Sequence, residues 1–177
     1  MLKIVLLVIV VAIVGVLGYA ATRPSDFVVT RTAVINASPE KLSGMVEDFH
    51  QWGAWSPWEK MDPAMKRTYG GPAKGVGASY AWVGNDKVGS GSMKIERVEP
   101  GREVVFGLHF VKPFKADNLG RFTFQPEATG TKVVWSMEGK NPYIAKLMGL
   151  FFDMDKMIGK DFETGLANMK VAAEKQA

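Results

Sequence analysis

Residues 32–58 read T-A-V-I-N-A-S-P-E-K-L-S-G-M-V-E-D-F-H-Q-W-G-A-W-S-P-W, and the hydrophobic period changes twice within them. The opening continues a run dense in Val, Thr and Ile that starts at Phe27, and it predicts a first strand over 27–36. Ser38, Pro39 and Glu40 then supply an N-cap, a proline at the first helical position and an acid in the first turn, three consistent signals for a helix start. Leu42, Met45, Val46 and Phe49 recur at helical offsets and share one face, while Lys41, Glu47 and Asp48 fall elsewhere, so this helix should rest on a neighbouring layer. Trp52, Trp55 and Trp58 follow at a spacing of three, interrupted by Gly53 and Pro57, which predicts a short second helix or turn.

Downstream, strands are predicted at about 66–70, 76–83, 88–98, 103–111, 118–126 and 130–138. They are joined by Gly84-Asn85-Asp86, Glu99-Pro100-Gly101 and Glu127-Ala128-Thr129-Gly130, short joints that make an antiparallel meander. Alternation puts Val104, Phe106, Leu108 and Phe110 on one face and Val105, Gly107, His109 and Val111 on the other. Phe122 and Phe124 likewise oppose Arg121, Thr123 and Gln125, and Val133, Trp135 and Met137 continue the apolar side. After Asn141-Pro142 the period becomes helical. Ile144, Leu147, Met148, Phe151, Met154, Ile158, Phe162, Leu166 and Met169 form a stripe that predicts one long helix reaching Glu174. The expected architecture is α+β: a curved antiparallel sheet of about seven strands wrapped on a long C-terminal helix.

Upstream, residues 4–22 carry no charge and nine of them are Ile or Val, flanked by Lys3 and Arg23. A helix of that length is about 28 Å long, close to the ~30 Å hydrocarbon thickness of a bilayer. A cleaved secretory signal is the competing reading, with Gly18 and Ala20 as the small pair before a cut, but the apolar run is longer than a signal core. The expected organisation is a transmembrane anchor over 1–23, a linker over 24–26 containing Pro24, and one domain over 27–177. The charge pattern around the span, Lys3 before it and Arg23 and Asp26 after it, favours a single-pass protein of the cell membrane with its domain on the extracytoplasmic side.

The chain carries 22 Lys and Arg against 18 Asp and Glu, and no basic run exceeds Lys66-Arg67, which excludes a nucleic-acid binder of the basic-patch kind. It contains no cysteine, so disulfides, thiolate ligands and acyl anchors are absent.

The order strand, two short helices, antiparallel strands and long C-terminal helix, together with the stretch at 32–58, resembles the opening of the START-like superfamily, also called SRPBCC or helix-grip. Residues 147–166, L-M-G-L-F-F-D-M-D-K-M-I-G-K-D-F-E-T-G-L, are similar to a membrane-anchored bacterial branch of its polyketide cyclase/dehydrase members. The resemblance implies a deep apolar cavity between sheet and helix that holds a lipid or other hydrophobic small molecule. The residues assigned to its lining are Trp55, Trp58, Tyr80, Trp82, Phe106, Phe110, Phe124, Trp135, Met148, Phe151, Asp155 and Ile158. A fold-level label is not evidence of cyclase chemistry.

Candidates for catalysis are few. By parity His109 faces solvent, and His50 at the end of the first helix suits its negative dipole end. Two histidines and no cysteine do not make a transition-metal site. Asp153-Met154-Asp155 lacks the glycine and twelfth-position acid of a calcium loop, and none of the glycines at 70, 71, 75, 77, 89 and 91 fits a phosphate-cradling motif. Asp155 borders the apolar stripe, where pairing with Lys156 or Lys160 is the expected arrangement. The tryptophans at 52, 55 and 58 suit either core filling or the rim of a ligand entrance. The leading expectation is a non-enzymatic, cofactor-free carrier or sensor at a bilayer. The alternatives are a cyclase- or dehydratase-type enzyme using Asp155, Glu59 or Asp62, and a protein-interaction module.

Overall fold

The computed structural model describes residues 1–175; residues 176 and 177, where the domain expected over 27–177 ends, lie outside the described residues. A helix, α1 (Leu2–Thr22), leads through Pro24 into β1 (Asp26–Ile35). Next come α2 (Pro39–Glu47), a 3₁₀ turn at Phe49–Gln51, and two single-turn helices, α3 (Trp52–Trp55) and α4 (Trp58–Met61). Six strands follow: β2 (Lys66–Gly70), β3 (Ser79–Val83), β4 (Ser90–Glu99), β5 (Glu103–Lys112), β6 (Ala116–Glu127) and β7 (Gly130–Lys140). The chain closes with α5 (Tyr143–Met148) and α6 (Met154–Glu174).

All seven strands form one antiparallel sheet in the order β1-β7-β6-β5-β4-β3-β2, so the first strand pairs with the last and forms one edge, with β2 at the other. The inner face is the one that alternation predicts: Val104, Phe106, Phe122, Phe124, Val133, Trp135 and Met137 are all buried. Gly120, on that face of β6, leaves room for the Phe106 ring, which a Cβ there would strike. α6 lies over β1 and α3, while α2 covers β5 and β6. Helix starts follow local chemistry. The Ser38 hydroxyl accepts from the Lys41 amide at 3.3 Å, and the Asp153 carboxylate accepts from the Lys156 amide at 3.0 Å.

The second of those caps corrects the expectation of one continuous helix over 144–174. The helix is interrupted over 149–153, where Gly149 caps α5 and Asp153 caps α6. The apolar stripe is therefore divided, and Phe151 sits in the elbow with 71% of its surface exposed. The strand expected over 76–83 begins only at Ser79, because Gly75 and Gly77 adopt positive φ just before it.

Register assigns each loop to an end of the sheet. Asp26 faces Lys140, Asn118 faces Gly139, Phe110 faces Ala116, and Ser90 faces both Val83 and Lys112. The start of β1, the end of β7, the β5–β6 hairpin and the β3–β4 loop thus share the end at which α1 is attached.

Candidate functional site

The middle of the seam between sheet and α6 is filled. Trp135 and Phe162 stack face to face with ring centroids 4.0 Å apart and planes 3° from parallel, and Phe122 lies 4.7 Å from Trp135 on its other neighbour strand. Trp55, fully buried, meets both Phe122 and Trp135 edge-on. Gly165 makes the fit possible: a Cβ there would lie 2.7 Å from the Trp135 ring. The indole N–H groups of Trp52 and Trp55 donate to the Val46 and Met45 carbonyls at 3.0 and 3.2 Å, so both rings are tied into the core as well as packed there.

The deep chamber expected at this seam is not outlined by the described residues. Two concavities stand out and both open to solvent. One, of about 540 Å³, lies beside Val34, Asn36, Thr129 and Lys170; the other, of about 290 Å³, runs along the outer sheet face by Gly107 and His109. Four large aromatic side chains at facing positions of β6, β7, α3 and α6 fill the middle of this seam.

The expected lining residues divide into three groups. Trp55, Tyr80, Trp82, Phe106, Phe124 and Trp135 are buried in the core. Trp58, Phe110, Met148 and Ile158 are half-buried. Phe151 and Asp155 face outward, a correction caused by the elbow before α6. Trp58, Phe110 and Ile158, with Leu108, pack against the core without being covered by it. Trp58 reaches Trp135 at 5.7 Å and Phe162 at 6.2 Å, and Phe110 meets Trp82 edge-on at 5.8 Å. All four lie at the margin of the ring-filled core. Asp62, just past α4, ties that helix to the β3–β4 loop, its carboxylate accepting from the Asn85 amide at 2.7 Å.

Two polar groups at this margin were not singled out in the sequence. Asn118, on the inner face of β6, buries an Oδ1 that finds no hydrogen-bond donor. Asp161 shares the face of α6 that carries Ile158, Phe162 and Gly165, is only partly exposed, and has no hydrogen-bond or ion-pair partner among the described residues. Burial pushes its carboxyl above the usual aspartate range, against a small opposing pull from Lys160. Helical spacing from Ile158 was the signal that could have found it.

The other ionisable candidates are occupied structurally. Glu59 accepts from the Tyr80 hydroxyl at 2.5 Å and from Arg67 Nε at 2.6 Å. Burial, reinforced by Glu59, drives the Tyr80 phenol far up. Asp62 is buried and also accepts from the Ala64 amide, capping a turn. Asp155 pairs with Arg31 of β1 at 3.0 Å, which corrects the expected pairing with Lys156 or Lys160; Arg31 lies across Gly159 and also reaches Glu163 at 2.8 Å. His109 is exposed beside Asp117 on the outer sheet face. His50, exposed, pairs with Asp48 and stacks on Tyr69, a different setting from the expected helix end.

A curved antiparallel sheet gripped by a C-terminal helix, with α2 to α4 inserted after the first strand, defines the helix-grip class. The chain belongs to the polyketide cyclase / dehydrase and lipid transport family, whose profile matches residues 26–174. No curated protein matches it in sequence. Among solved structures it is similar to protein CV1439 from Chromobacterium violaceum, at 14% identity, TM-score 0.61, and 83% and 96% of the two chains covered. It is also similar to TTHA0849 from Thermus thermophilus, at 16% identity, TM-score 0.61 and 85% and 99% coverage. A third likeness is to the Aha1 dimer from Colwellia psychrerythraea, at 16% identity, TM-score 0.59 and 84% and 96% coverage. At these identities the likeness is one of fold.

Proposed function

We propose that this protein binds a lipid or another hydrophobic small molecule while held at a membrane by α1. The molecule seats on the apolar border formed by Trp58, Leu108, Phe110 and Ile158. The observation that supports this reading is the placement of half-buried Leu108 and Phe110, with the donor-less Oδ1 of Asn118 beside them on the inner face, at the end of the sheet from which α1 extends. A molecule with an apolar body and one hydroxyl or amide would gain burial from the border and a hydrogen bond to Asn118, at about 25 cal/mol per Å² of apolar area covered. α1 is long and apolar enough to cross a bilayer, and only Ala20 of it is buried by protein. With Lys3 on the cytoplasmic side the domain lies outside, the orientation that the charge pattern favours. Family membership supports the ligand class.

Native mass spectrometry of the full chain purified in detergent tests this. The expected result is a lipid-sized adduct that Trp58→Ala and Phe110→Ala each reduce while melting temperature stays within a few degrees, because both residues lie at the edge of the core. A chain that carries no adduct, and takes up none when titrated with membrane lipid extract, overturns the proposal.

A further inference from the structure

The elbow between α5 and α6 concentrates apolar surface that none of the described residues covers. Tyr143, Ile144, Phe151, Phe152, Met154 and Met157 are all more than a third exposed, within fifteen residues. Isolated exposed apolar residues are ordinary, whereas a contiguous set marks a surface that something else covers.

What covers it follows from where it sits. α5 packs against α1, and the Tyr143 hydroxyl donates to the Leu17 carbonyl at 2.8 Å. Leu17 lies five residues before the end of α1, so at ~1.5 Å of rise per residue the contact is about 8 Å below the point where the helix ends. Tyr19 and Arg23 mark that level: the guanidinium stands 5.9 Å from the Tyr19 ring centroid, an aromatic and a cation placed where a bilayer meets water. If α1 crosses the bilayer, α5 starts inside the layer of headgroups and upper acyl chains, at the depth where amphipathic segments lie in the membrane plane.

Two further features agree. The β5–β6 hairpin reaches the same end of the sheet and presents an exposed Phe114 between Lys112 and Lys115. Lys140 and Lys146 lie beside α5 as cations suited to lipid phosphates, while Lys156 pairs with Asp153 at 3.3 Å. The opposite end, at Thr129 and Pro100, carries no such apolar set among the described residues.

We infer that residues 143–157 form a second membrane contact, lying in the interfacial layer of the same bilayer that α1 crosses and holding the end of the domain that carries α1 down on the lipid surface. The division of the C-terminal helix then has a use. A continuous helix would keep Phe151 and Phe152 within a single stripe along its axis, whereas the elbow turns both out of the domain. This inference rests on the membrane-spanning reading of α1 but not on ligand binding.

The chain contains no cysteine, so single labels report cleanly. Full-length F152C, V10C and T129C variants, each carrying an environment-sensitive fluorophore, are reconstituted in phosphatidylcholine/phosphatidylglycerol vesicles containing lipids spin-labelled near the headgroup or deep in the chain. Folding is checked by near-ultraviolet circular dichroism. The expected pattern is loss of most emission at position 152 with the shallow quencher, loss at position 10 with the deep one, and no loss at 129. Quenching at 10 with an aqueous signal at 152 overturns the inference and leaves the anchor standing. A label at 152 shielded from both water-borne and lipid-borne quenchers points to a protein cover and also overturns it. No quenching at 10 removes the anchor, and this inference with it.

Discussion

A single missing methyl group decides how the interior is built. At Gly165 the absent side chain lets α6 settle until the Trp135 ring and Pro57 lie where a Cβ would be. Gly165→Ala is therefore expected to lower stability by about 1–3 kcal/mol, the usual consequence of overfilling a packed core, as read from the urea midpoint at unchanged slope. Asp161 works in the opposite sense. Burial raises its carboxyl above the ordinary 3.8, so the native state holds this proton more tightly than the unfolded chain does. Ionisation consequently costs stability above the native pKa, and that cost fades as pH falls through the native pKa and below 3.8. Asp161→Asn should raise the melting temperature at pH 7, with a gain that disappears in acid; an equal gain at both pH values would show that charge is not its origin.

At the scale of elements, α6 depends on its cap. Asp153→Ala, which removes the acceptor for the Lys156 amide, is expected to cost about 0.5–2 kcal/mol, and to fray the first turn of α6, as measured by amide exchange at Lys156 and Met157. The strands were legible in advance because period-two alternation from Val104 to Phe110 and at Phe122 and Phe124 reflects a single buried face, a property each strand carries within itself. The turns were legible for the same reason: Ser38 and Pro39 act on the backbone directly beside them. The elbow was not, because the apolar spacing runs through Leu147, Phe151, Met154 and Ile158 unbroken, and only the competition between Gly149 closing one helix and Asp153 opening another divides it. The site was less legible still. Whether Trp55, Trp135 and Phe162 border a void or fill it depends on the distance between layers, which Gly165 sets and periodicity does not encode.

Over the whole molecule, protection should follow the layering. β6 and β7 have strands on both sides and helices above them, whereas β2 is a five-residue edge strand of which only Arg67 is even partly covered. Hydrogen exchange followed by mass spectrometry should find the slowest amides in β6 and β7 and the fastest strand amides in β2. Protection of β2 equal to that of β7 would mean that a partner covers this edge. Phe110, the elbow and α1 gather at one end of this layered body, and the ligand and membrane contacts proposed above share that end.

The pairing of β1 with β7 has a bearing on how the protein is made. Asp26 to Ile35 leave the ribosome directly behind α1, yet their sheet partner is roughly 100 residues further along, so at ~5–20 residues per second β1 waits some 5–20 seconds for it. Throughout that interval β1 lacks the neighbour that satisfies its backbone, and the sheet cannot be completed until nearly the whole domain has been synthesised.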